Sequence, residues 1–85
     1  KIFIRYGINN QLKKLNEEVF ELIDSLREFH YRFGTKKHVE EEFADVLVLL
    51  NQFKEYYELD NKNIKKIMQQ KIDRQLERMK EESEE

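Results

Sequence analysis

Cysteine and proline are both absent from this chain, and only two glycines occur in its 85 residues. Without cysteine there can be neither a disulfide framework nor a thiolate metal site, and two scattered histidines disfavour zinc. Without proline, nothing in the sequence breaks a helix by covalent constraint. No apolar run approaches the roughly 20 residues needed to span a bilayer. A basic start followed by an apolar block, the pattern of a signal peptide, is missing too. These absences lead us to expect a cytoplasmic location with no membrane partner. The sequence starts at Lys1 and not at methionine, which leaves residues upstream of it open.

What remains is 40% charged and 39% hydrophobic, with the apolar residues at helical spacing. That combination predicts an all-α protein. One small domain covers 1–85, with no internal repeat or linker. A chain of this size buries little surface and needs further support, which points to self-association. Residues 1–7 read as a lead-in, with a bend at Gly7 and a cap at Asn9 or Asn10. The first helix is expected over 8–29, with Ile8, Leu12, Leu15, Val19, Leu22, Leu26 and Phe29 on one stripe. Phe33-Gly34-Thr35 then breaks the chain: Gly34 suits a left-handed helix end and Thr35 caps the next helix, over 36–58. Asp60 or Asn61 caps a third helix over 62–80, and 81–85 form an acidic tail expected to fray.

The second helix carries an anomaly. At about 100° per residue, Val39, Phe43, Val46, Leu49, Leu50, Phe53 and Tyr57 make one apolar face, and Glu42 projects from its middle. Asp45 lies one turn further on. An unpartnered carboxylate in such a place costs several kcal/mol, so a buried base, a shared proton or a metal cation must compensate. On the first helix, Glu18 and Glu21 border the apolar stripe in the same way. If the two stripes pack, four carboxylates converge, and their mutual repulsion favours a hard divalent ion. Mg²⁺ suits the donors best, because it is held by a few carboxylates together with water and substrate phosphates. Taken singly, each acidic pair could also be a solvated face.

The net charge of −2 argues against general affinity for nucleic acid, yet residues 62–80 hold seven basic side chains against two acidic ones, a local +5. Lys71, Arg74 and Arg78 border the narrow stripe of Ile64, Ile67, Met68, Ile72, Leu76 and Met79, and their ends could reach phosphate. They could equally be flanking charges paired with Asp73 and Glu77. No Glu-x-x-His pair precedes His30 or His38, which excludes the common di-iron bundle and leaves both as surface or helix-end residues. Phe29, Tyr31 and Phe33 read as core or interface packing.

Glu17-Glu18-x-x-Glu21 followed, after twenty residues, by Glu42-x-x-Asp45 resembles the EExxE…ExxD signature of the all-α nucleoside triphosphate pyrophosphohydrolases. This is the MazG-like superfamily, which also contains dimeric dUTPases. The continuation Asp45-Val46-Leu47-Val48-Leu49-Leu50 and the run Lys71-x-x-Arg74-x-x-x-Arg78 are similar to family segments as well. The resemblance implies a three-helix chain whose bundle is completed by dimerisation, as a homodimer or homotetramer. It also implies Mg²⁺-dependent cleavage of a nucleoside triphosphate to monophosphate and pyrophosphate, with Mn²⁺ as a substitute ion. Glu18, Glu21, Glu42 and Asp45 would be the metal ligands. Glu17 would orient or deprotonate the attacking water, and Lys71, Arg74 and Arg78 would hold phosphates. A base-recognition pocket cannot be matched. The competing expectation is a non-catalytic oligomerisation or partner-binding module, in which the acidic residues pair with those basic ones on a neighbouring chain.

Overall fold

The computed structural model describes residues 6–84, in which three α-helices follow one another: α1 (Ile8–Tyr31), α2 (Lys36–Tyr56) and α3 (Asn61–Glu84). No strand occurs among the described residues, so the chain is all-α. Of the lead-in, residues 1–5 lie outside the described part.

Local chemistry sets most of the boundaries. Gly7 sits at φ 79°, a region costly for other residues, and provides the expected bend. Neither Asn9 nor Asn10 caps α1; both lie inside it, and Asn10 Nδ2 donates instead to the Tyr6 carbonyl at 2.7 Å. At the other end α1 runs two residues beyond Phe29. Gly34 is not left-handed, contrary to expectation. It is needed for space: its N–H reaches back to the Glu28 carbonyl at 3.1 Å, and a Cβ there would stand 2.8 Å from backbone atoms of Glu28 and Phe29. Thr35 does cap α2, its Oγ1 accepting from the His38 N–H at 3.1 Å.

The second helix stops at Tyr56, short of the expected Glu58. Glu58 itself takes the left-handed conformation (φ 53°), while its N–H bonds the Glu55 carbonyl and that of Leu59 bonds the Lys54 carbonyl at 2.9 Å. This is a Schellman ending with glutamate where glycine is usual. Asp60 then caps α3, Oδ1 accepting from the Lys62 N–H at 2.9 Å. Residues 81–84 continue that helix instead of trailing off.

Packing is uneven. The four-residue connection 32–35 folds α2 back on α1, and these two helices form the only extensive interface among the described residues. Val39, Val46 and Leu49 of α2 are buried in it, facing half-buried Leu15, Val19 and Leu22 of α1. Ser25 is buried there as well, its Oγ donating to the Leu22 carbonyl at 2.7 Å. Phe43, Leu50 and Tyr57 of the α2 face stay exposed, as do Phe29, Tyr31 and Phe33, which therefore take no part in the core of this chain.

α3 makes no comparable contact, and Ile67, Met68, Ile72, Leu76 and Met79 lie open to solvent. The radius of gyration is 16.8 Å, against about 12 Å for a compact chain of this length. A hairpin with a projecting amphipathic helix has apolar faces left to cover.

Candidate functional site

Where α1 crosses α2, the hairpin gathers acid. One carboxylate oxygen from each of Glu18, Glu42 and Asp45 lies within 4.8 Å of the other two. Asp45 stands on the exposed side, whereas Glu18 and Glu42 are half-buried, the Glu42 side chain keeping 12% of its exposure. The Oε2 atoms of Glu18 and Glu42 are shut off from solvent and meet no hydrogen-bond partner. Leaving such an atom unmatched costs roughly 1–3 kcal/mol, more where charge is involved.

The surroundings do little to offset this. No lysine or arginine forms an ion pair with the cluster among the described residues; His38, one turn before Glu42, brings Nε2 to 3.9 Å from its Oε1. Burial, and then the Glu21 charge, push the Glu42 carboxyl above its ordinary value; His38 opposes the shift, and Asp45 and the nearness of the Glu21 carboxyl add to it. Glu18 is pushed up by burial and then by Glu21, Asp45 and Glu42, with Lys14 opposing. Glu21 is thus electrically part of the group although it lies at the exposed edge.

A pH dependence follows. The native chain holds protons on Glu18 and Glu42 at pH values where the unfolded chain has released them. Their contribution to stability is therefore complete below the ordinary value of 4.5, and it is lost as pH rises through the elevated native values. Without divalent ion, the contribution of these two groups should raise the melting temperature as pH falls from neutrality toward 4.5. Thermal melts of wild type and Glu42→Gln across that range check this: the variant should show the smaller dependence, and equal slopes would refute it.

The remaining sequence candidates fall elsewhere. Glu17 is exposed and outside the trio. Lys71, Arg74 and Arg78 are exposed and, with Gln75, line a shallow depression made wholly by α3. No α3 group figures among those acting on Glu18 or Glu42. The chain thus groups its acids and groups its bases, but does not bring the two groups together.

An all-oxygen donor set with two orphaned, sheltered oxygens fits a hard divalent cation such as Mg²⁺ or Mn²⁺ and offers nothing to a thiophilic one. Sequence reasoning set His38 aside, although its i, i+4 spacing to Glu42 was readable. It also passed over Lys14, Gln11 and Gln52, which line one cleft toward the open end of the hairpin. No family model, curated protein or solved structure matches the chain.

Proposed function

We propose that this chain is a Mg²⁺-dependent nucleoside triphosphate pyrophosphohydrolase of the MazG-like type, acting as a homodimer or homotetramer. The observation that carries the reading is the carboxylate trio within 4.8 Å, two of whose members hold sheltered, unpartnered oxygens. Such an arrangement is costly in an empty protein and useful around a cation. Glu18, Glu42 and Asp45, with Glu21 at the edge, would hold the ion. When bound, it neutralises phosphate charge and makes a coordinated water easier to deprotonate.

The chain's own groups do the rest. Water oxygen bonds to one phosphorus of the α–β phosphoanhydride as the bridging P–O bond breaks; one water proton goes to the base, and the other stays on the new phosphate oxygen or passes to the leaving group. Glu17, next to Glu18 on the solvent side, orients that water or takes its proton. Lys71, Arg74 and Arg78 bind the phosphate oxygens and stabilise the departing pyrophosphate. For those side chains to reach the acids, α3 must lie across the hairpin of a second copy. The exposed Ile67, Ile72, Leu76 and Met79 supply the apolar stripe for such docking.

The test is a panel of ribo- and deoxyribonucleoside triphosphates, incubated with and without Mg²⁺ and scored by ³¹P NMR. Monophosphate and pyrophosphate, formed only with metal, are expected; orthophosphate, or no turnover, would refute the proposal. The exposed α3 stripe also suits a non-catalytic oligomerisation module, in which Lys71, Arg74 and Arg78 neutralise the acids of a neighbour. That reading predicts a melting temperature indifferent to divalent ions.

A further inference from the structure

We propose that the cleft at the far end of the α1–α2 hairpin is the nucleoside subsite, and that the Gln11 and Gln52 amides read the base. The inference rests on the hydrolase reading above and deepens it. Asn10, Gln11 and Lys14 line the cleft from α1, Tyr6 from just before it and Gln52 from α2, around a volume of ≈ 450 Å³. That lies inside the roughly 300–1,000 Å³ typical of small-molecule sites.

Register places this cleft where a nucleotide bound at the acids would extend. Gln11 precedes Glu18 by seven residues and Gln52 follows Asp45 by seven. Because the helices run antiparallel, both steps lead the same way along the hairpin. Seven residues are two turns, so each glutamine shares a face with its acid, at a separation of roughly 10 Å. From the α-phosphate, ribose and the width of the base together span a distance of that order to the hydrogen-bonding edge of the base. Lys14 joins the two regions: it lines the cleft, and its charge acts on Glu18, one turn further along α1.

The lining chemistry selects the ligand. A glutamine amide offers two donors and one acceptor in a plane, which matches the mixed donor and acceptor edge of a nucleobase. Asn10 is already tied to the Tyr6 carbonyl at 2.7 Å, which leaves the reading to the other two amides. Gln11 is buried, with 6% of its surface exposed, and Gln52 is half-buried. Amides withdrawn from water reject bases that leave them unpaired, and Tyr6 adds an aromatic residue to the lining.

The experiment compares the wild-type chain with Gln52→Leu and Gln11→Leu, using kcat/KM over the triphosphate panel and calorimetric binding of the matching monophosphates with Mg²⁺. Wild type should favour one base at least about tenfold over the others, as hydrogen-bonded selection allows. Both variants should compress that ranking to within about threefold, mainly through KM and monophosphate affinity. Their Mg²⁺-induced rise in melting temperature should match that of wild type. Gln11 is the more buried, so Gln52→Leu carries the test if Gln11→Leu fails to fold. Hydrolysis by Gln52→Leu with the wild-type ranking intact, or no base preference in wild type, overturns the subsite and leaves the hydrolase standing. Failure of wild type to turn over any nucleotide overturns both.

Discussion

Glu42→Gln is expected to cut kcat for triphosphate hydrolysis by at least about a thousandfold, some 4 kcal/mol of transition-state stabilisation, while making the metal-free protein more stable. The two effects have one origin. Glutamine keeps the shape of the side chain but carries no charge, so near neutral pH it removes the repulsion and desolvation that raise the Glu42 pKa. By the same token it removes an anionic donor from the ion's shell. A surface glutamate would give neither effect, and loss of activity through misfolding would give the opposite sign in stability. Steady-state kinetics together with thermal melts in EDTA distinguish these cases: an active variant, or an inactive one that melts lower than wild type, would contradict the assignment.

The second large effect concerns which chain supplies the basic groups. Lys71→Ala/Arg74→Ala should be inactive alone, as should Glu42→Gln, yet an equal mixture of the two, refolded together, should recover activity. In a symmetric dimer whose α3 serves its partner, half of the molecules would be mixed, and each mixed dimer would have one intact site. The recovery should approach about a quarter of wild type. If α3 instead closes over its own hairpin, no mixed dimer contains an intact site and the mixture stays inactive. Activity of the co-refolded mixture, set against each variant alone, decides the matter.

Helix periodicity was the most legible part of this chain. Its apolar repeats and the absence of proline mark three helices, and Thr35 and Asp60 cap two of them as their side chains suggest. Misreadings came where backbone geometry, not composition, decides. Gly34 looks like a left-handed terminator, but its missing Cβ serves close approach to Glu28 and Phe29. Glu58 takes the left-handed position with no residue-type signal at all.

The site divides in a similar way. Glu42 within an apolar face betrays a carboxylate needing compensation, because one helix suffices to show it. That Gln11 and Gln52 line one cleft is a property of the α1–α2 register, which no single helix encodes. Equally, a stripe such as Phe43, Leu50 and Tyr57 announces burial without saying against what, and within one chain these residues stay exposed.

Mg²⁺ titration followed by thermal unfolding tests the cation-holding carboxylates most directly. At a hundred times its dissociation constant the ion should add about 2.7 kcal/mol, raising the melting temperature by roughly 10 °C or more for a domain of this size. Glu42→Gln should abolish most of that rise. A wild-type melting temperature unmoved by millimolar Mg²⁺ or Mn²⁺, or an equal rise in Glu42→Gln, would mean that Glu18, Glu42 and Asp45 tolerate one another without a metal.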